Sequence, residues 1–399
     1  MKVGVISVYP PSRLKHSKHS GVASYTKNLV VSLLENCQVD VFADKIPHTT
    51  DYYGEGEKVY RCWNKGVFYP FQIFKQLLRK NVDVVHIQHE IYLYGGFGSA
   101  IIFPFLLFLI RLLRKPVVVT LHGVIPLSKI DERFLKENWI RGRPFVMKIG
   151  LTLLVKIIVF LSTAIIVHEE SSKETLKSEY RCPPRKIFVI HHGVEEGSDL
   201  IEKDEAKRNL GLSGKNLILF FGYIAGYKNV ELLIESAKFL KTSNWVLIIA
   251  GGLHPRLNGD REYLSYVSSL HEKASEISKD RILFKGFISE GEIPLYFSAA
   301  DLIVFPYKIS MHSSGPLALA ASYGKPFLIS DMFSEVIFFR EAVFKNDPKE
   351  LAGKIDRFFG DAEFQSKVLR CSEEFKMKRL WSDVARKTCE LYREVVSQK

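Results

Sequence analysis

Short apolar runs rich in β-branched residues alternate with segments of helical period along the whole chain. KVGVISVY (2–9) is followed by VASYTKNLVVSLLEN (22–36) and then by VDVFA (39–43). The pattern predicts a helix around 70–80, a strand at VDVVHIQ (82–88), a helix over 98–114 and a strand at PVVVTLHG (116–123). AIIVHEE (164–170) precedes SSKETLKSEY, a helix that Ser171 or Ser172 can cap, with Glu174 in its first turn. KIFVIHHG (186–193) closes this half. The pattern then restarts with NLILFFG (216–222), NVELLIESAKFLK (229–241), WVLIIAGG (245–252) and a helix about 260–278. RILFKGF (281–287), the short helix EGEIPLYFSAA, DLIVFPY (301–307), a helix over 316–323, PFLIS (326–330) and further helices complete it. Strands apolar on both faces that alternate with helices imply an α/β protein with parallel sheets covered on both sides. There are two such units in succession, and the charged, glycine-containing segment around 195–215 reads as their connection.

In parallel sheets of this kind ligands bind beyond the carboxyl ends of the strands, and the polar residues fall there. DVVHIQHEIYLYGG (83–96) starts as a buried strand and then presents His86, Gln88, His89 and Glu90. His122 with Gly123, His168 with Glu169 and Glu170, and His191 with His192 and Gly193 end three more strands. In the second half Gly222, Gly251, Gly252, Pro306 and Tyr307 hold the equivalent places. One histidine at a strand end is ordinarily a satisfied structural residue, whereas four such ends in one half point to a functional cleft.

Two segments suit anions. In SSGPLALAASYGKP (313–326), Ser313 or Ser314 can cap, Pro316 sits near the first helical position, and Gly324 with Pro326 stops the helix. Its small amino end, including Gly315, leaves backbone N–H groups open, with the helix dipole behind them; the plain alternative is a tightly packed helix between two strands. FFGYIAGYKN (220–229) is a strand, a glycine corner at Gly222 and a lysine, Lys228, at the next helix. GxxxxGK[ST] is absent, and no GxGxxG follows the first strand, so triphosphatase and dinucleotide chemistry find little support. Gly21 in SKHSGVASYTKNL (17–29) precedes a helix, again where backbone can approach a ligand.

At 399 residues, with 47% hydrophobic and 25% charged composition, the chain suits two folded domains. Its five cysteines lie far apart in sequence without a CxxC, which fits inert thiols in a reducing cytoplasm. The start reads as a first strand and not as a signal peptide. The net charge of +12 calls for a partner. Nucleic-acid motifs are missing. An anionic membrane surface fits better, because IIFPFLLFLIRLLRKP (101–116) and RGRPFVMKIGLTLLVKIIVFLSTAIIV (141–167) mix apolar bulk with Arg and Lys. Two core helices and a peripheral anchor are both consistent with these stretches.

Taken in order, the quoted pieces resemble the retaining nucleotide-sugar glycosyltransferases of family 4, over nearly the whole chain. The resemblance implies two Rossmann-like parallel-sheet domains facing across a cleft (GT-B). Residues 1–194, rejoined by a C-terminal helix at about 380–399, would form the acceptor domain, and 195–379 the donor domain. By position, His122 would contact the transferred sugar, and Lys228 would neutralise the leaving diphosphate. Gly21, Gly222, Ser313, Ser314, Gly315 and Pro316 would approach the donor, with its base near Phe287 and Ile288. His89, Glu90 and His168 would face acceptor or sugar. The two glutamates common across the family's donor helix are Met311 and Leu319 here, and the arginine of its phosphate loop is Tyr223; His312, Ser313 and Glu335 are the candidate substitutes. The implied reaction is hexosyl transfer, mannose or glucose, from a GDP- or UDP-linked donor to a glycan or lipid-linked acceptor. It would need no metal and no cofactor, in the cytoplasm or at the inner face of the membrane. The alternatives are a non-catalytic sugar-nucleotide-binding or scaffold subunit and an epimerase of the same fold.

Overall fold

The runs that are apolar on both faces become the central strands of two sheets. The structure, a computed structural model, describes residues 1–11, 21–197, 200–309, 314–333, 335, 337 and 339–398. The first half comprises β1 (Lys2–Ser7), α1 (Gly21–Leu33), β2 (Gln38–Asp44), β3 (Tyr52–Tyr53), β4 (Lys58–Trp63), α2 (Tyr69–Leu77), β5 (Val84–His89) and α3 (Phe97–Leu112). It continues through β6 (Val117–Leu121), α4 (Glu132–Glu137), α5 (Pro144–Leu161), β7 (Ala164–Val167), α6 (Glu170–Ser178) and β8 (Ile187–Val189). The second half comprises α7 (Lys203–Asn209), β9 (Asn216–Phe221), α8 (Val230–Ser236), β10 (Trp245–Ala250), α9 (Arg261–Ser278), β11 (Ile282–Phe284) and α10 (Ile293–Ala299). Then come β12 (Leu302–Phe305), α11 (Gly315–Ser322), β13 (Phe327–Ser330), β14 (Val343–Phe344), α12 (Pro348–Gly360), α13 (Ala362–Met377) and α14 (Trp381–Ser397).

The first sheet has the order β3-β4-β2-β1-β5-β6-β7-β8 and the second β11-β10-β9-β12-β13-β14. Every pairing is parallel except β3 with β4. In each sheet the strand order reverses once near the middle. The reversal lies between β1 and β5 in the first sheet and between β9 and β12 in the second, and such points leave a crevice at the carboxyl ends.

Two layers cover the first sheet. Tyr69, Ile73, Phe103, Leu106 and Ile158 from α2, α3 and α5 pack on one face with Val85 and Ile87. Leu29, Val30 and Leu33 of α1 pack on the other with Val384, Cys389 and Tyr392 of α14. The last helix of the chain therefore completes the core of the first domain. Two segments carry the chain between domains, and they run side by side. Val194 and Leu380 form a parallel bridge, with Val194 N–H donating to Arg379 O at 2.7 Å. Beside it Arg379 donates two hydrogen bonds to the buried Glu169 carboxylate, at 2.6 and 2.9 Å.

Three expectations change, and one contact appears that sequence spacing could not show. The connection is shorter than the charge pattern suggested, because α7 and Leu212 belong to the second core, where Ala206 and Leu212 pack and Lys207 donates to Asp301 at 2.6 Å. Helix α6 is capped by neither serine: it starts at Glu170, so Ser171 and Ser172 lie inside its first turn, and Glu169 at the cap position is committed to Arg379. Cys37 and Cys389, 352 residues apart in sequence, bring their Sγ atoms to 3.3 Å. Helix α5 is no core helix, since only Ile158 and Val159 of its 18 residues are buried.

Glu169→Ala leaves the Arg379 guanidinium buried and unpaired at the crossing of the two connections. It is expected to cost about 3–5 kcal/mol and to lower the unfolding temperature of the first domain clearly. The double variant Glu169→Ala/Arg379→Met should recover much of that loss, as scanning calorimetry of the three proteins will show.

Candidate active site

The second domain's half of the site grows from the reversal between β9 and β12. Strand β9 ends at Phe221, and Gly222 turns the chain with φ +126°. A 3₁₀ turn, Gly226–Lys228, and the left-handed Asn229 (φ 54°) then carry it into α8. This brings Lys228 back over Gly222: a Cβ there would stand 2.5 Å from Lys228 Nζ and 3.3 Å from Pro316 Cγ. Only glycine tolerates both that backbone conformation and that approach. Pro316 is in the first turn of α11, whose cap is Ser314, its Oγ accepting from Leu317 N–H at 3.2 Å. Tyr307, beyond β12, joins the group with its hydroxyl 3.3 Å from Ser314 Oγ and its ring centroid 5.7 Å from Lys228 Nζ.

The electrostatics are those of an anion site. Lys228 is only 6% exposed, and among the described residues no carboxylate pairs with it. Burial alone pulls its ammonium down to about 8. Lys325, held near the same value by burial, differs in donating to the carbonyls of Ser298 and Ala300. Pro316 has no N–H and that of Leu317 is taken, so the N–H groups of Ser314 and Gly315 face the start of the helix. Ser313, Met311 and His312 lie outside the described residues. Leu319 packs against the second core, and Glu335 is exposed. Phe287 is 47% exposed and lies over Tyr223, ring centroids 6.4 Å apart at 26°. It offers a flat aromatic face, while Ile288 is buried in the core.

In the first domain, side-chain alternation along β5 sorts the polar residues. His86 and Gln88 point toward α14, and His89 points toward α3. His86 Nδ1 lies 2.5 Å from Tyr392 Oη, and its Nε2 lies 2.7 Å from Thr120 Oγ1. The Gln88 carboxamide is 3.2 Å from His86 Nε2 and 2.8 Å from His122 Nε2. His122 Nδ1 faces His168 Nε2 at 3.4 Å, and His168 Nδ1–H donates to Ile190 O at 2.9 Å. With the Gln88 oxygen toward His122, two ring lone pairs meet at that 3.4 Å contact. A single shared proton, or a half-turn of the amide, completes the chain. With the amide turned, Gln88 donates to His122 Nε2 and leaves the hydrogen of the neutral ring on Nδ1, facing His168. Burial drives His86 and His168 down to about 3, so both rings are neutral at pH 7. Tyr25 of α1 packs its ring against His122, His168 and His192, at centroid distances of 4.7, 5.0 and 5.1 Å.

Two expected sugar-facing residues therefore take other places. His168, 2% exposed, stands behind His122 and positions it. His89 is buried with its ring 4.3 Å from Phe103, and its pKa falls to about 4 through desolvation. Glu90 is half-buried and does face the second domain: burial, Tyr307 and the Glu90 carboxylate all push the Tyr227 hydroxyl up. Gly21 opens α1, and among the described residues beyond its chain neighbours and its own helix backbone no atom lies within 4 Å of the place of its missing Cβ.

The domains meet through the segment around α4. A Cβ on Gly226 would collide with Glu137 O, and Lys308 Nζ lies 3.5 Å from Glu137 Oε1. Arg256 donates to Asn138 O at 3.3 Å and lies 5.1 Å over the Tyr92 ring. Trp139 packs on Tyr263 and Tyr266. The phosphate-type loop after β9 is thus walled by the first domain. Sequence reasoning missed the chain from Tyr392 to His168, the role of Tyr25 and this wall. The polar letters of β5 were the one available signal. Among the described residues, no group of three or more His, Cys, Asp or Glu is arranged as a metal site.

A nucleoside diphosphate sugar has no phosphate that titrates between about pH 6.5 and 9, so its binding reports on Lys228. Affinity should be constant below about pH 7 and fall by up to about tenfold per unit above about pH 8, as the free ammonium is lost. Lys228→Met should weaken binding and flatten the profile, as titration calorimetry across this range will show.

Known proteins match the two halves of the chain in succession. The Glycosyltransferase Family 4 model matches residues 19–197, and the Glycosyl transferases group 1 model matches residues 202–374. Sucrose-phosphate synthase from Thermosynechococcus elongatus superposes with a TM-score of 0.78 over 100% of both chains at 18% identity. HepE from Anabaena, in complex with UDP-glucose, superposes with a TM-score of 0.72 over 99% of this chain and 100% of that one at 16% identity. A GDP-mannose:glycolipid 4-beta-D-mannosyltransferase of Xanthomonas campestris is 24% identical over 65% of this chain and 64% of its own. Three further curated relatives, among them the alpha-D-kanosaminyltransferase of Streptomyces kanamyceticus (23% identical over 61% of this chain), are matched over 59% to 66% of their own length. The chain therefore has the GT-B fold, and its two halves match two glycosyltransferase family models in succession.

Proposed function

We propose that this protein transfers a hexosyl group from a nucleoside diphosphate sugar to a glycan or lipid-linked acceptor, with retention at the anomeric carbon and without a metal ion. The observation that carries this is the buried, carboxylate-free ammonium of Lys228, held over Gly222 beside the capped start of α11. Breaking the bond from the sugar to the diphosphate places negative charge on the departing oxygen. Lys228 and the N–H groups of Ser314 and Gly315 are fixed before that charge appears, so they stabilise it without reorganising. The base stacks on Phe287. His122 contacts the sugar with its ring orientation fixed by Gln88, Tyr25 and His168. Glu90 faces the sugar or the acceptor from the first domain. The acceptor hydroxyl attacks on the face the diphosphate leaves and gives its proton to the leaving phosphate oxygen, so no enzymic nucleophile is needed. The UDP-glucose complex of HepE and the GDP-mannose donor in the name of the Xanthomonas relative support both donor classes.

A second reading, a non-catalytic sugar-nucleotide-binding subunit, is favoured by Leu319, which packs into the core where the family often places a glutamate.

The two are separated by screening GDP- and UDP-linked hexoses for nucleotide release in the presence of glycan and lipid-linked acceptors. Turnover with one donor is expected, with Lys228→Ala slower by about 10²–10³-fold. His122→Ala should lower kcat more than it weakens donor binding. Donor binding without turnover would establish the second reading, and full activity of Lys228→Ala would overturn the mechanism.

A further inference from the structure

Helices α2, α3 and α5 lie side by side on one face of the first sheet, and the outer sides of α3 and α5 are as apolar as their inner sides. On α5, Phe145, Ile149, Leu153 and Phe160 form an outward stripe, with Phe145 72% and Phe160 79% exposed. Ile101 and Phe108 continue it on α3, and Phe71 on α2 is joined to them through Phe105, with ring centroids 5.3 and 6.2 Å apart. A helix apolar all round normally has neighbours all round. Among the described residues α3 and α5 lack them on one side, and a continuous bare face of this kind marks an interaction surface.

The charge around the face says what covers it. Residues 64–82, 97–116 and 138–163, which hold the three helices and their flanks, carry eleven Lys or Arg and no Asp or Glu, in a chain with 44 acidic residues. Arg111, Arg143 and Lys156 are exposed among the apolar side chains. Apposing two copies would bring these cations together with no carboxylate between them, so self-association is disfavoured. Apolar side chains bordered by Lys and Arg, whose stems run along apolar surface while their charges stay in water, match the boundary between anionic headgroups and acyl chains.

We propose that this face docks in the plane of an anionic lipid bilayer, with α5 lying in the headgroup region and not crossing it. Helix α5 is long and apolar enough to span a membrane, but both its ends are fastened to the domain. At its end, Lys186 Nζ donates to Val159 O, Phe160 O and Ser162 O at 3.0, 3.2 and 2.8 Å, and Thr163 N–H donates to Val117 O at 2.7 Å. At its start, Met147 and Leu151 pack on Phe134 and Leu135 of α4. Insertion across the bilayer would tear β7 from the sheet. Helix α3 begins seven residues after Glu90, so docking holds the mouth of the crevice near the lipid surface. That last step rests on the transferase reading, whereas the docking itself does not.

The full chain is sedimented with phosphatidylcholine vesicles with and without phosphatidylglycerol. Binding only to the anionic vesicles is expected, weakening as salt is raised from about 0.1 M to about 1 M. The exposed-face variant Phe145→Glu/Ile149→Glu/Phe160→Glu should bind at least about tenfold more weakly, with unchanged unfolding temperature and unchanged donor affinity. Bound protein should be released by alkaline carbonate. No binding to anionic vesicles at low salt, or equal binding by the variant, would overturn the proposal. So would a dimer in sedimentation velocity that the variant dissolves, because the face would then belong to a second copy. Resistance to carbonate would overturn the in-plane placement. Because donor affinity is read separately, loss of the transferase reading leaves this result standing.

Discussion

A buried ammonium with no counter-ion among the described residues is expensive, and the second domain is organised around keeping one. Lys228 stays charged only while its pKa, lowered to about 8 by burial, remains above the pH of its surroundings. The features that hold it come from two segments of the chain: the bare backbone of Gly222 and the left-handed Asn229 in its own loop, and the ring of Tyr307 with the capped α11 beyond β12. None of them neutralises the charge. A site that supplies cationic and N–H groups but withholds a carboxylate is completed by an anion from outside.

The first domain answers with neutral chemistry. Its histidines are desolvated, and the hydrogen-bonded run from Tyr392 through His86, Gln88 and His122 to His168 ends on a backbone carbonyl. One end of that run belongs to α14, the last helix, which crosses back beside Val194 and is clasped by Glu169 and Arg379. The same crossing that joins the domains therefore also anchors the ring that faces the crevice. The crossing, the packing of α14 on α1 and the Tyr392–His86 contact thus share one helix.

The domain has two unlike faces for a related reason. α1 and α14 bury each other and close one side of the first sheet, while α2, α3 and α5 close the other and leave apolar surface bare. The absence of any acidic residue from these three helices and their flanks is a sequence-level property. Only the fold shows that the segments form one continuous surface.

The sequence by itself determined the alternation of strand and helix, the two parallel sheets, the glycine corner before Lys228 and a helix capped by Ser313 or Ser314, because these depend on local period, backbone sterics and neighbouring residues. It also revealed that β5 ends in polar side chains, but not which way each one points. The tertiary structure decided that His86 and Gln88 turn inward to Tyr392, that His89 packs against Phe103, that Glu90 alone of that group faces the second domain, and that α5 is surface and not core. Each of these depends on packing beyond the local sequence, with a partner 306 residues away for His86 in Tyr392. Composition cannot report such pairings, because burial and hydrogen bonding are settled by what the folded chain brings alongside.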